Sequence, residues 1–202
     1  MVACGAIAAP LAEIVAVNGW PVDIRPLPPL LHNAPDRIAA AVESAASAVS
    51  GRYERVVVGY ADCGTYGALD ELCDRQGWVR LPGLHCYDLF GGAERVRRFF
   101  DESPGTYVLT DFLVRSFPRT VIAELGLDRH PELRDAYFGH YTRAVWLAQQ
   151  PDDELRALAH AAAAQLGLPL TEVPTGTGGL ERALAEALGE TASADQRGVV
   201  LR

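Results

Sequence analysis

The sequence predicts an α/β protein with a mostly parallel central sheet, helices on both faces and a C-terminal helical cap. Short β-branched runs alternate with segments of helical periodicity, which is the pattern of strand–helix units in parallel sheets. The run at 56–60 has no charged interruption, as expected of a strand that is buried on both faces. With 202 residues and 49% hydrophobic content, the chain is long enough for a single domain with a sizeable core.

Turn and stop signals divide the first half of the chain into these units. A strand ends at Cys4, and the helix after it stops at Asn18 and Gly19, a typical helix C-terminus. The second strand, 22–27, leaves through the segment 28–35, which has too many prolines for a helix or a central strand. We predict the following elements next: a helix at 36–50, a strand at 56–60, a helix through Cys73, a strand at 78–81, a helix from Gly91 and Gly92 to near Phe100, and a strand at 106–109.

The pattern changes after the fifth strand. Residues 112–166 read as several helical segments, which we interpret as a helical cap over the sheet edge. Its apolar and aromatic residues include Phe138, Tyr141, Val145 and Trp146. A last strand at 168–173 and a helix at 180–188 follow. We therefore predict one domain over 1–188, and we expect the polar tail 189–202, which lacks periodicity, to be mobile.

Charge and composition exclude several classes of function. The net charge of −8 argues against nucleic acid as a partner, because such binding needs a basic surface. All 18 basic residues are arginine, which excludes a lysine Schiff base, and with it pyridoxal chemistry, and a P-loop lysine. No apolar stretch reaches the roughly 20 residues of a membrane span, and the N-terminus lacks the basic start of a signal peptide. We therefore expect a cytosolic protein without a membrane partner.

Three of the four cysteines follow predicted strands. Cys4, Cys63 and Cys86 each lie where a buried run leads into a loop, and the carboxyl ends of parallel strands share one edge of a sheet. Cytosolic thiols stay reduced, which favours metal binding or catalysis over disulfides. A single cysteine is as well explained by burial in the core, but three at equivalent positions favour a shared site.

The three thiols predict a metal site. They leave open one position of a tetrahedral Zn²⁺ or one iron of a cubane cluster. We predict an iron–sulfur cluster, with Zn²⁺ as the alternative, although no C-x-x-C pair is present, as zinc ribbons, thioredoxins and ferredoxins would have. Cys73 falls inside a helix and is interpreted as structural. Cys63 precedes a helix, a setting that predicts a lowered thiol pKa, and Gly64 allows close approach to the backbone.

Four further residues at strand exits are candidates for catalysis. His32 and His85 lie in loops at the predicted edge, where either could be a fourth ligand or carry a proton. Asp62 and Asp111 follow the third and fifth strands, where a carboxylate can accept loop amide hydrogen bonds, cap a helix or orient a histidine or thiol. For Asp111, helix capping is the simplest explanation.

Several short motifs together resemble one family. The motifs are Ala3-Cys4-Gly5, Leu31-His32-Asn33, Asp62-Cys63-Gly64-Thr65, His85-Cys86-Tyr87, Leu109-Thr110-Asp111-Phe112 and the run at 126–133. Over nearly the whole chain, this succession resembles a bacterial and archaeal family of three-cysteine α/β proteins, domain of unknown function 1638. Its members are often encoded near corrinoid-dependent methyltransferases. The resemblance implies a role in one-carbon or corrinoid-linked metabolism. As partners we expect a small-molecule substrate or a corrinoid or methyltransferase-type protein, and a homo-oligomer is a further expectation.

Two other functions stay open. The loops Ala3-Cys4-Gly5-Ala6 and Asp62-Cys63-Gly64-Thr65 also look like those of cofactor-independent aspartate/glutamate racemases, in which two thiols exchange the proton of a substrate carbon. Those enzymes usually have Asn-Thr after the first cysteine and Thr-His after the second, which this chain lacks, and Cys86 has no place in such a pair. Alternatively, the three thiols hold a metal or cluster for a partner without turnover. If the protein is an enzyme, we expect a metal-dependent lyase or transferase.

Overall fold

The strands form two parallel sheets. The structure, a computed structural model, describes residues 1–49 and 51–190. The strands in that part of the chain are β1 (Val2–Cys4), β2 (Arg25–Leu27), β3 (Val57–Gly59), β4 (Val79–Arg80), β5 (Thr106–Thr110), β6 (Arg143–Ala148) and β7 (Leu170–Pro174). They are ordered β2-β1-β3-β4 in one sheet and β5-β6-β7 in the other. The predicted α/β class with parallel strands is confirmed.

Helices connect the strands. They are α1 (Ala8–Asn18), α2 (Ile38–Ser47), α3 (Ala68–Gln76), α4 (Cys86–Gly91), α5 (Ala93–Glu102), α6 (Asp111–Phe117), α7 (Arg134–Phe138), α8 (Asp153–Leu166) and α9 (Gly178–Leu188). Short 3-10 helices occupy Pro29–Asn33, Pro35–Arg37 and Pro131–Leu133, and a π-helix occupies Pro118–Ala123. As predicted, α1 ends at Gly19, which adopts the left-handed conformation. Most of the predicted tail, from residue 191 on, lies outside the described residues.

Strand β1 is the inner strand on which the first sheet is built. It pairs with β2 on one side and β3 on the other, in a register that sets Ala3 beside Gly59. The two backbones are so close that a Cβ at Gly59 would lie 2.7 Å from the Cβ of Ala3. Cys4 and the residue after Gly59, Tyr60, therefore leave the sheet side by side.

The second sheet separates two hydrophobic cores. Along β6, Val145 and Leu147 pack in the core that the first sheet shares, whereas Ala144, Trp146 and Ala148 pack with α6 and α8. This alternation of faces is the period of a strand. Helices α4 and α9, which contact each other, bring apolar side chains to the first core. Both faces of the second sheet are thereby covered.

The interpretation of 112–166 as a cap of several helical segments missed the strand β6 at 143–148. Five consecutive apolar residues, from Ala144 to Ala148, follow Arg143. A short unbroken apolar run has no period that distinguishes a buried strand from a buried helix. The rest of the predicted cap contains helical segments joined by turns, and α6 and α8 pack on the outer face of β6. Helix α4 was not predicted either; it begins at Cys86, before the glycines taken as the start of a helix.

The helices were also compared with the length of a membrane span. Among the described residues, no helix is both long and apolar enough to cross a bilayer.

The contact between β1 and β3 predicts the effect of a methyl group. Gly59→Ala should lower the free energy of unfolding by about 1–3 kcal/mol, because the added Cβ meets Ala3 at 2.7 Å. Gly178→Ala is the matched control, since a Cβ at this first residue of α9 would meet nothing within 4 Å. Urea unfolding of both variants measures the difference; an unchanged midpoint for Gly59→Ala would contradict the tight packing.

Candidate three-cysteine site

The structure brings the three strand-exit cysteines together. Cys4 is the last residue of β1, Cys63 follows β3 after a short turn, and Cys86 opens α4 beyond β4. The thiols influence one another electrostatically: charge at Cys4 raises the pKa of Cys63, and charge at both raises the pKa of Cys86. All three are free cysteines. The three thiols therefore lie near one another at the carboxyl edge of the first sheet.

Cys73, the fourth cysteine, lies apart from this group. It is buried within α3 and packs in the first core, as the sequence predicted for a structural residue. The charges that act on it come from Arg80, Asp70 and Asp74 and from none of the other cysteines.

The carboxylate of Asp62 organises the loop that carries Cys63. It accepts hydrogen bonds from the N–H groups of Gly64 (3.1 Å), Tyr66 (3.2 Å) and Gly67 (3.0 Å) and from the hydroxyl of Thr65 (2.8 Å). Cys63 itself has a φ of 52°, a left-handed conformation that is uncommon for residues other than glycine. The ring of hydrogen bonds around Asp62 stabilises this unfavourable backbone and so fixes the direction of the thiol.

These hydrogen bonds also set the charge of Asp62. Partial desolvation favours the neutral acid, but hydrogen bonds from Gly67, Thr65, Tyr66 and Gly64 outweigh it and lower the pKa of the carboxyl. Asp62 is therefore an anion at neutral pH whose oxygens are engaged by its own loop. The sequence suggested Asp62 as a catalytic residue. In the structure its carboxylate binds its own loop and thereby positions Cys63.

The loops of Cys63 and Cys86 are joined through their backbones. The N–H of Asp62 donates to the carbonyl of Gly83 (3.0 Å), and the N–H of Cys63 donates to the carbonyl of Leu84 (2.8 Å). On the far side, the Asp88 carboxylate accepts from the N–H of Leu84 (2.8 Å). Cys63 and Cys86 thus belong to one hydrogen-bonded unit.

The sequence prediction of a lowered pKa for Cys63 is wrong. Burial is the largest cause of a shift that raises the pKa of Cys63 to about 11, and nearby charge at Cys4 adds to it. The N–H groups of Cys86 and Ala61 offset only part of this effect. Helix α3 begins at Ala68, so its N-terminus is too far from Cys63 to dominate. Burial likewise raises the pKa values of Cys4 and Cys86.

Two tyrosines that were not predicted lie at the site. Tyr60 is fully buried next to Cys4 and Cys63, and burial raises the pKa of its hydroxyl well above the usual range. Burial also strongly raises the pKa of Tyr87, with further contributions from charge at Cys86 and at Tyr107. The signals in the sequence were positional: Tyr60 ends the β3 run, and Tyr87 follows Cys86.

Tyr87 connects the thiols to an aromatic cluster beside the second sheet. Tyr107 packs edge-to-face against Tyr141, with ring centroids 5.1 Å apart, and against Phe138 at 5.6 Å. Burial and nearby charge at Tyr141 raise the pKa of Tyr107 to about 12. Tyr87 and Tyr107 are therefore neutral phenols at neutral pH.

His32 lies in the proline-rich segment that covers the cysteine loops. It belongs to the 3-10 helix Pro29–Asn33, which touches the loop after Cys4, because a Cβ at Gly5 would lie 3.0 Å from Pro29. The side chain of His32 is exposed, yet local desolvation lowers its pKa. His32 is thus at the predicted edge, on the outer rim of the site.

His85 lies on a different loop, the one after β4. It is the exposed residue before α4, and its N–H points to the Asp88 carboxylate at 3.3 Å. Its ring is 6.1 Å from the ring of Tyr87. The two histidines therefore belong to different loops that neighbour the cysteine loops.

Asp111, the last catalytic candidate, forms hydrogen bonds at the carboxyl end of the second sheet. Its carboxylate accepts from the indole N–H of Trp146 (2.9 Å) and from the N–H groups of Gln149 (3.1 Å) and Gln150 (2.8 Å). Its own N–H donates to Oε1 of Gln149 (2.9 Å). Asp111 thus ties the end of β5 to the exit of β6, while the adjacent Thr110 caps α6. No hydrogen bond in the described chain connects it to the thiols.

The donor set suits a soft metal or a cluster, because thiolates bind Zn²⁺ and iron–sulfur clusters. The buried, unpartnered hydroxyl of Tyr60 beside Cys4 also leaves a polar group available to whatever binds there. As they stand, however, the described residues contain no group of three or more His, Cys, Asp or Glu side chains arranged to hold a metal ion.

Comparison with known proteins identifies one family. A protein-family model described as "Protein of unknown function (DUF1638)" matches residues 26–184. The matched residues include Tyr60, Cys63, Cys86 and the two candidate histidines, His32 and His85. No curated protein and no solved structure matches the chain.

The Asp62 loop generates a pH-dependent prediction. Asp62→Ala should lower the free energy of unfolding by about 1–3 kcal/mol at pH 7, because it removes an acceptor of four hydrogen bonds. A lowered native pKa stabilises the fold above the unfolded pKa near 3.8, and this stabilisation is lost as the pH falls through the native value. The difference between variant and wild type should therefore shrink below pH 4.

Urea unfolding at pH 7 and at acidic pH measures this effect. Asp101→Ala, at an exposed position near the end of α5, is the control and should change little at either pH. A difference for Asp62→Ala that grows as the pH falls would contradict the proposed role of the carboxylate.

Asp111 can be tested for a structural role. Asp111→Ala should cost on the order of 3 kcal/mol of unfolding free energy, because it leaves the buried Trp146 indole N–H and two backbone N–H groups without their acceptor. Asp128→Ala, which removes only an exposed ion pair with Arg129 (3.7 Å), should cost less than about 0.5 kcal/mol. Thermal or urea unfolding gives both values. Unchanged stability of Asp111→Ala would return this residue to the list of catalytic candidates.

Proposed function

The chain belongs to the DUF1638 family of proteins of unknown function, and we propose that it binds a metal or an iron–sulfur cluster through Cys4, Cys63 and Cys86. The observation that supports the proposal is that three thiols from three separate strand exits lie close enough at one sheet edge to influence one another electrostatically. Three sulfur ligands with an open position suit a cubane cluster best and a zinc ion next.

Electrostatics favour a cationic occupant. Burial and mutual repulsion make thiolates unfavourable in this pocket, since both effects raise the thiol pKa values. A metal cation removes the repulsion and stabilises each thiolate, so binding displaces the thiol protons. Without a cation, the three cysteines are stable as neutral thiols. When a cation binds, they lose their protons and become strong thiolate ligands.

The rim of the pocket suits the fourth coordination position. His32 and His85 lie on different loops at the edge, and both are exposed. Either one, or a small-molecule substrate, would complete the coordination left open by the cysteines. A bound cluster or zinc ion would supply a Lewis-acidic centre at this open position. The chain's own part is to hold the sulfur ligands, screen them from water with Tyr60 and Tyr87, and orient Cys63 through Asp62.

A role in one-carbon or corrinoid-linked metabolism rests on the family resemblance. It would require a small molecule or a partner protein to reach the pocket from outside. Tyr66 and Leu84, on the two joined cysteine loops, are 95% and 69% exposed. Large apolar side chains at such exposure support access by a partner at this edge.

A racemase-like activity is the second candidate. The electrostatic influence of Cys4 on Cys63 supports a pair of facing thiols, as such an enzyme needs. The third thiol, Cys86, and raised pKa values that oppose a thiolate base both favour the metal site instead. The metal site requires Cys86 as a ligand, whereas a two-thiol racemase does not require it.

Four matched cysteine variants test the proposal. Wild-type protein purified without oxygen should contain iron and acid-labile sulfide, or zinc, at close to one site per chain. Cys4→Ala, Cys63→Ala and Cys86→Ala should each reduce this content severalfold, because each removes one of three ligands. Cys73→Ala is the control and should retain the full content, since Cys73 lies in the core away from the pocket.

Metal and sulfide analysis with a visible absorption spectrum provides the readout. A colourless wild type that contains no metal after reconstitution would disprove the metal site. In that case proton exchange into aspartate, glutamate or related amino acids, retained in Cys86→Ala and lost in Cys63→Ala, would identify the two-thiol enzyme instead.

A further inference from the structure

The hydroxyl of Tyr60 is buried without a partner. Among the side-chain nitrogen and oxygen atoms that the structure describes, it is the buried one that makes no hydrogen bond. Its residue has 0% of its surface exposed. Native proteins pair nearly all buried hydroxyls, so this atom needs an explanation beyond packing.

The position of Tyr60 places this hydroxyl at the thiols. The register of β1 and β3, with Val2 opposite Val58 and Ala3 opposite Gly59, continues to Cys4 beside Tyr60. Both residues leave their strands at the same edge. Cys63 follows only three residues later along the chain. The charges that act on the Tyr60 hydroxyl are those of Cys4 and Cys63.

We propose that the Tyr60 hydroxyl donates a hydrogen bond to the sulfur of the group bound at the three-cysteine site, either a metal-bound Cys4 thiolate or an inorganic sulfide of a cluster. This inference rests on the proposed function, because it concerns the bound form of that site. It adds a ligand-contacting residue that is neither a cysteine nor a histidine.

The chemistry of sulfur explains why the hydroxyl has no partner in the free protein. A thiol sulfur is a weak acceptor, and Cys4, although close, does not meet the geometry of a hydrogen bond with Tyr60. A metal-bound thiolate or a sulfide carries more negative charge and accepts a stronger bond. The hydroxyl therefore gains its partner only when the site is filled. Such outer hydrogen bonds tune metal affinity and the reduction potential of clusters.

A phenylalanine at position 60 separates this role from packing. The ring of Tyr60 fills space in the first core, which phenylalanine would fill equally well. Without the unpaired hydroxyl, the metal-free protein should be as stable as wild type or more stable. The bound form, in contrast, should lose a hydrogen bond. The two forms of Tyr60→Phe should therefore change in opposite directions, which a purely structural tyrosine would not do.

The experiment compares metal-free wild type, Tyr60→Phe and Tyr53→Phe under reducing, anaerobic conditions. Tyr53→Phe is the matched control: its hydroxyl bonds Asp23 at the amino edge of the sheet, 2.6 Å away. Thermal unfolding measures each apo protein, and competition with a chelator measures Zn²⁺ affinity. Reconstitution with ferrous iron and sulfide, followed by a redox titration, measures the cluster.

The expected result is an apo melting temperature of Tyr60→Phe equal to or above that of wild type, together with about 10- to 100-fold weaker Zn²⁺ binding. A reconstituted cluster should have a lower reduction potential in this variant, because a hydrogen bond to sulfur stabilises the reduced form. Tyr53→Phe should bind as wild type does.

Two results would overturn the role of Tyr60 alone. The first is equal metal affinity and potential in wild type and Tyr60→Phe. The second is an apo Tyr60→Phe protein that is less stable than wild type, since the hydroxyl would then have a partner without the metal. If wild type binds neither zinc nor a cluster, the proposed function fails, and the inference fails with it.

Discussion

The close contact of β1 with β3 is the constraint on which the candidate site depends. Gly59 gives the backbone of β1 room beside β3, and the resulting register brings Cys4 and Tyr60 out of the sheet together. The chain then needs only a tight turn to return Cys63 to the same place. Parallel pairing with β2 holds the other side of β1 and directs the chain into the proline-rich segment that bears His32. The architecture of the first sheet thus gathers groups that are up to 82 residues apart in sequence, Cys4 and Cys86.

Burial gives the pocket its chemical character. Thiols are reactive as thiolates, but this pocket opposes thiolates through desolvation and mutual repulsion. Asp62, a charged group held firmly beside them, is itself an anion whose oxygens are turned to its own loop. A site of this kind holds neutral, unreactive thiols when it is empty, and thiolates form only when a cation binds. This distinguishes it from a catalytic cysteine that is activated by a neighbouring base or helix.

Much of the first sheet could be predicted from the sequence, because its strands are short apolar runs bounded by glycine, proline and cysteine. The placement of three cysteines at one edge followed from that pattern and from the geometry of parallel sheets. Strand β6 could not be recognised, since its apolar run carries no period. The raised thiol pKa values could not be predicted, because burial depends on how segments that are distant in sequence pack around each thiol. The hydrogen bonds of Asp62 and Asp111 likewise depend on loop conformations that residue types alone do not define.

The backbone hydrogen bonds between the two cysteine loops have a consequence for communication across the surface. Leu84 is exposed, its carbonyl accepts from the N–H of Cys63, and Cys86 follows it by two residues. A contact at Leu84 would therefore act on a peptide group that is hydrogen-bonded to Cys63 and lies two residues before Cys86. Cys4, in contrast, is held in its strand. Exposed Leu84 thus stands one hydrogen bond away from the backbone of Cys63.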